Sequence, residues 1–189
     1  MQSSPVLIPG CFLQYNTFHM KNTNSFLAVL FFTFFAAKAQ ILNPVKWQSK
    51  IERKSATEYI LTFEGAIEKG WHLYSLHTPK GGAAPFEIAF PEKEHFHVTG
   101  KASESQTITA YNEAFAVDEI FFVNKAIIRQ FIKMEKPVDR KVHVKLTYQV
   151  CKQVCIPQKI YIEFDTQTLR AKEVMNFTQN QTDGILKMK

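Results

Sequence analysis

The 189-residue chain holds 23 basic and 17 acidic residues, a formal net charge of +6, and its basic residues are scattered along the sequence. That distribution describes a soluble surface and argues against a nucleic-acid face. A chain of this length buries an adequate core as one domain.

The first forty residues read as a targeting segment and not as part of the fold. Met20-Lys21-Asn22-Thr23-Asn24-Ser25 opens with a positive charge, Phe26 to Ala37 is an apolar run, and Ala37-Lys38-Ala39 is a small-x-small cleavage site before Gln40. This order is that of a secretory signal peptide over 20–39, and its apolar run is shorter than the roughly 20 residues that span a bilayer. Residues 1–19 contain no Lys, Arg, Asp or Glu and are expected to be an upstream extension ahead of the true start at Met20. The expected mature chain begins at Gln40. Removing Lys21 and Lys38 lowers the basic count from 23 to 21 against 17 acidic residues, a net charge of +4. Cys11 is lost with the leader, and in an oxidising compartment the remaining Cys151 and Cys155 are expected to be bonded.

From residue 44 to 165 turn signals recur every eight to twelve residues, the rhythm of an all-β sandwich. Strands are expected over Val45 to Ile51, Glu58 to Ile67, Trp71 to Leu76 and Phe86 to Phe90, with a weak fifth over Phe96 to Gly100. Glu68-Lys69-Gly70 and Pro79-Lys80-Gly81-Gly82 supply turns between them. Ser103 to Asp118 is less regular, and Tyr111-Asn112-Glu113-Ala114-Phe115 sets two aromatics in a polar stretch. Ile120 to Val123 and Ala126 to Met134 follow as strands. The second has a helical alternative through Ile128, Phe131 and Ile132, but its β-branched content favours strand. Asp165 to Lys189 reads as a polar tail or short helix with little core, so the domain is bounded at 40–165 and the tail at 166–189.

Residues 142–164 organise the rest. Val142, Val144, Leu146, Tyr148 and Val150 alternate with His143, Lys145, Thr147 and Gln149, the pattern of a strand with one face on a core. Cys151 and Cys155 enclose only Lys152, Gln153 and Val154, and a second β-rich run follows Pro157. A hairpin with thiols at its mouth can bring two Cα atoms within disulfide range. Closing a loop of about five residues removes only about 2 kcal/mol of denatured-state entropy, against nearly 5 for about a hundred residues. The alternation also puts Cys151 out of phase with the core-facing set. An accessible pair in a small loop suits exchange chemistry better than stapling, although a structural clip stays open. So does a metal site made of Cys151, Cys155 and two of His72, His77, His95 and His97, but no spacing selects two of those histidines. Lys152 and Lys159 could favour a thiolate.

Gly70-Trp71-His72-Leu73-Tyr74, the segment Tyr111 to Phe122, and Tyr148 to Pro157 occur in an order that resembles the N-terminal periplasmic domain of DsbD, the bacterial thiol:disulfide interchange protein, over roughly 44–165. The resemblance implies an immunoglobulin-like β-sandwich, free of cofactor and metal, that is exported to the periplasm and not inserted in the membrane. Its cysteines would pass electrons from a membrane thiol reductase to thioredoxin-fold periplasmic proteins. It implies that Cys155 forms the mixed disulfide with partners and that Cys151 resolves it. It further implies a cap ring at Phe115 with an acidic neighbour at Glu113, and an aromatic pair beneath the site at His72 and Tyr74. The sequence departs from the family in a shorter intercysteine loop and in His72, where a tyrosine is expected. It also lacks transmembrane helices and a thioredoxin-like domain, so electrons would have to reach it from another protein. The alternative is a secreted immunoglobulin-like binding domain with a structural disulfide.

Overall fold

The computed structural model describes residues 42–137 and 140–177. The expected signal peptide and cleavage site, Cys11 and the end of the polar tail lie outside them. Within the described residues there are eleven strands and no helix: β1 (Val45–Arg53), β2 (Glu58–Ile67), β3 (His72–Tyr74), β4 (Glu87–Ala89), β5 (Phe96–Glu104), β6 (Ile108–Asn112), β7 (Val117–Phe122), β8 (Lys125–Met134), β9 (Lys141–Cys151), β10 (Cys155–Asp165) and β11 (Arg170–Val174).

The strands form two antiparallel sheets. One runs β1-β2-β8-β5, the other β11-β10-β9-β3-β7-β6, with β4 paired to β9. Each sheet turns an alternating apolar face inward, and burying those faces against each other is the dominant favourable term in folding. Tyr59, Leu61, Phe63, Ile128 and Ile132 enter the core from the first sheet, and Leu73, Phe122, Val144, Leu146, Val150 and Phe164 from the second. Phe63 meets Phe164 edge to face with ring centres 5.7 Å apart. Trp47 Nε1 donates to the Tyr148 hydroxyl at 2.9 Å, which satisfies two polar groups in an otherwise apolar layer. This is the β-sandwich that the turn rhythm predicts, of the immunoglobulin-like kind that the resemblance implies.

Three segments differ from the sequence expectation. The weak fifth strand continues to Glu104, because a register shift between Thr99 and Ser103 absorbs the interruption at Gly100. The irregular stretch after Ser103 contains β6, whose side chains are exposed on both faces except at Asn112. A strand with water on both sides has no apolar alternation to read. The polar tail also contributes a strand beyond residue 165. Asp165 Oδ1 accepts from the N–H groups of Gln167 and Thr168 at 2.9 and 3.0 Å, Leu169 takes a left-handed φ of 54°, and Arg170–Val174 then returns along β10. As the outermost strand it needs little apolar surface, so its composition looked like tail.

At this end of the second sheet, Glu163 is buried and its carboxylate meets Lys141 at 3.0 Å, Lys172 at 3.1 Å and His143 Nε2 at 3.3 Å. Burial opposes ionisation, but the hydrogen bonds from Lys141, Lys172 and His143 outweigh it and hold the Glu163 carboxyl below the usual range.

Candidate functional site

The β9–β10 hairpin places Cys155 directly opposite Cys151, and their Cα atoms lie 4.1 Å apart. The pair is joined by a disulfide. Three residues form the turn, closed by a hydrogen bond from Lys152 N–H to Val154 C=O at 3.2 Å. Lys152, Gln153, Val154 and Cys155 are exposed. Cys151, by contrast, is 6% exposed, so the accessible pair expected from the sequence is one accessible and one covered sulfur.

The cover arises because β-strand neighbours point to opposite faces. Val150 faces the core and Cys151 faces out, onto a second cluster made of Tyr74, Ala83, Phe121 and Cys151, with Val123 packed against it. β3 lies between β9 and β7 and fixes the register of this cluster, since His72 pairs with Cys151 and Tyr74 with Phe121. His72 stacks on Phe121 with ring centres 4.2 Å apart and planes 13° from parallel. The buried Tyr74 hydroxyl donates to Glu119 Oε2 at 3.2 Å, and Glu119 is itself buried. Burial and the adjacent Glu119 charge push the Tyr74 phenol up to about 12.

Four of the six residues singled out from the sequence therefore come together: Cys151, Cys155, His72 and Tyr74. Glu113 and Phe115 occupy the turn between β6 and β7, where both are exposed, Phe115 by 52%. Asn112 Oδ1 shapes that turn by accepting from Ala114 N–H at 3.0 Å and Phe115 N–H at 3.4 Å, and Ala116 closes it at a φ of 54°. Phe115 stacks on no other ring among the described residues. The metal set weighed from sequence does not assemble: its two cysteines are bonded to each other, His97 lies on β5 in the opposite sheet, and His95 immediately precedes that strand.

The family model described as "Thiol:disulfide interchange protein DsbD, N-terminal" matches residues 38–164. The chain belongs to this family. Among solved structures it is similar to the DsbD N-terminal domain of Neisseria meningitidis in its reduced form, at 17% identity over 70% of this chain and 94% of that one, with a TM-score of 0.46. It is also similar to the N-terminal periplasmic domain of ScsB from Proteus mirabilis, at 16% identity and a TM-score of 0.50 over 80% of this chain, which spans 57% of the ScsB chain. A third similar structure is the complex between the DsbD and PilB N-terminal domains of Neisseria meningitidis, at 19% identity, 67% and 87% coverage and a TM-score of 0.41. No curated protein matches. The ScsB likeness bears on the fold, and membership of the DsbD family rests on the match to residues 38–164.

Sequence reasoning about this DsbD-family site missed Glu119, Phe121, Ala83 and Gln149. The signal for the first two was present. In Asp118-Glu119-Ile120-Phe121-Phe122 the two adjacent phenylalanines must face opposite ways on a strand, so one of them had to serve something outside the main core.

Proposed function

We propose that this chain is an exported thiol-disulfide exchange module, active in the periplasm, that relays electrons from a membrane thiol reductase to thioredoxin-fold proteins through Cys151 and Cys155. The observation that carries the reading is the asymmetry of the pair: an exposed Cys155 bonded to a Cys151 that is held in an apolar cluster behind it. A disulfide that merely clips a five-residue loop contributes about 2 kcal/mol, and it requires neither an exposed sulfur nor a built environment around the other one.

In the reduced module the Cys155 thiolate attacks one sulfur of a partner disulfide. A Cys155–partner bond forms, the partner's own S–S bond breaks, and its second sulfur leaves as thiolate. The Cys151 thiolate then attacks Cys155 Sγ across the 4.1 Å Cα separation of the hairpin. This breaks the mixed disulfide, frees the partner as dithiol and leaves Cys151 bonded to Cys155. Two electrons pass to the partner, and the protons lost from the two module thiols balance those gained by the partner. The membrane reductase restores the dithiol by the same exchange in reverse. His72 and Tyr74 form the floor beneath the pair, and Phe115 with Glu113 forms a cap that limits access until a partner docks.

Thiol trapping tests this. With Cys151 changed to Ala, a thioredoxin-fold partner is expected to remain bonded to Cys155 in a species that dithiothreitol releases, whereas Cys155→Ala should trap none. A reduction potential below about −300 mV together with no trapped partner would establish the structural clip instead.

A further inference from the structure

Between β3 and β4 the chain leaves the sheet and crosses its outer face. The loop starts and ends at one point, since Phe86 N–H donates to Ser75 C=O at 3.1 Å and Ser75 N–H donates to Ile120 C=O at 2.9 Å. Residues 76–85 therefore form a closed strap of the compact kind whose ends meet. Side chains from three strands tie it down, and where the strap begins Glu104 Oε2, on β5, accepts from Leu76 N–H at 3.2 Å. Gln149 Oε1, on β9, accepts from Ala84 N–H at 2.6 Å, and Glu119 Oε1, on β7, accepts from Ala83 N–H at 3.4 Å. The other oxygen of Glu119 holds the Tyr74 hydroxyl, so one buried carboxylate joins strap and floor.

The strap lies close to the sheet. A Cβ at Gly82 would come within 3.0 Å of Glu119 Oε1 and 3.1 Å of Val117 Cγ2, and Gly81 holds a φ of 113° that side chains rarely adopt. Only glycine lets the backbone approach that far. The approach has a result at the disulfide. Gln149 precedes Cys151 by two residues and points to the same face of β9, and Ala83 belongs to the apolar cluster that contains Cys151. The strap thus builds a wall on the strand-interior side of Cys151, whereas its bonded partner Cys155 is exposed.

We infer that the 76–85 strap, pinned by Gln149 and Glu119, sets which sulfur of the pair can be attacked, shielding Cys151 so that external thiols and electrophiles meet Cys155. Gln149 and Glu119 are positioning residues in this role, and the role matters to exchange because Cys155 is the sulfur proposed above to meet partners. A mixed disulfide formed at Cys151 instead would hold the partner against a buried sulfur, with the exposed one left to resolve it.

The test compares the two thiols within one molecule. Trypsin cuts after Lys145, Lys152 and Lys159, so Cys151 and Cys155 fall in separate peptides, 146–152 and 153–159. The reduced protein is treated with limiting N-ethylmaleimide, quenched in acid, labelled fully with an isotopic form, and digested for mass spectrometry. In the parent the first label is expected predominantly on Cys155. Gln149→Ala and Gly82→Ala should each raise the Cys151 share several-fold, the first by cutting a tie and the second by lifting the strap from a site remote from the sulfurs. Gln149→Glu keeps a side-chain oxygen acceptor for Ala84 N–H and should stay near the parent. Urea midpoints identify variants that remain folded at the labelling condition, and Gln149→Ala decides the matter if Gly82→Ala does not fold. A labelling ratio unchanged in folded Gln149→Ala, or a parent labelled equally at both sulfurs, overturns the assignment. The ratio needs no partner, so a failure to trap one at Cys155 would defeat the exchange proposal while leaving this measurement decisive for the strap.

Discussion

Leu73, Phe122 and Val150 point into the space between the sheets, while their immediate neighbours Tyr74, Phe121 and Cys151 point out of the same three strands into a smaller cluster. The first set is closed by the opposite sheet and carries no polar atom. The second is closed by a strap, is tied by a buried carboxylate and a phenol, and ends at a disulfide. One alternation builds both, so the scaffold and the site share a backbone but not a solvent. The inner cluster should govern stability and the outer one reactivity.

The adjacent phenylalanines test that division most strongly. Phe122→Ala should cost about 3–5 kcal/mol, as for a fully packed aromatic, read as a drop in urea midpoint. Phe121→Ala should cost less, because a strap can settle into the space more readily than a second sheet, yet it should change the rate at which dithiothreitol reduces the disulfide. Equal losses of stability with equal reduction rates would erase the distinction between the clusters.

Tyr74→Phe removes the donor to Glu119 and leaves a buried carboxylate short of a partner, at a cost of about 1–3 kcal/mol near neutral pH. Alkaline titration gives the same pair a signature. The phenol ionises near 10 when unfolded and at about 12 when folded. The unfolded chain therefore gives up this proton first, and the stability that the group contributes is complete below pH 10 and lost as pH rises from 10 through 12. The parent should lose urea midpoint across that range more steeply than Tyr74→Phe. Parallel curves would show that the phenol is not held as described.

At the far end of the sheet, Glu163 supplies the acid counterpart and a control, since it lies away from the disulfide. Its carboxyl is held below 4.5, so its contribution is present above that value and is lost as pH falls through the folded one. Glu163→Gln should flatten the acid loss of midpoint and leave the reduction rate unaltered. A changed reduction rate would mean that the two ends of the β9–β10 hairpin are coupled.

The smallest stability effect is expected for the proposed cap. Phe115 is 52% exposed, so Phe115→Ala should cost less than about 1 kcal/mol of stability, read as a small shift in urea midpoint, while speeding reduction by dithiothreitol. Strong destabilisation with an unchanged reduction rate, measured where both proteins stay folded, would remove Phe115 from the site.

The sequence made the inner cluster legible because burial imposes period two, and β8 shows how far that goes. Ala126, Ile128, Ile132 and Met134 face inward while Phe131 faces out, which decides against the helix that Ile128, Phe131 and Ile132 allow. The outer cluster was legible only through the cysteines and the short motifs around them. Glu119, Gln149 and Ala83 act through a loop that crosses three strands, and such a crossing leaves no periodicity. Strands without an apolar face were equally hidden, as at β6 and β11. The cover on Cys151 could not be read from phase alone, because phase gives the direction of a side chain and not what lies in that direction.

β11 pairs only with Tyr161 to Asp165, so among the described residues the first half of β10, from Cys155 to Ile160, has β9 on one side and no strand on the other. A strand edge of this kind is where one chain can template another into a growing sheet. Pro157 stands in the middle of it with no N–H to offer, and Lys159 follows with a charge. The exposed sulfur is thus presented on a border that another protein can approach but cannot easily extend, which favours brief encounters over lasting strand exchange.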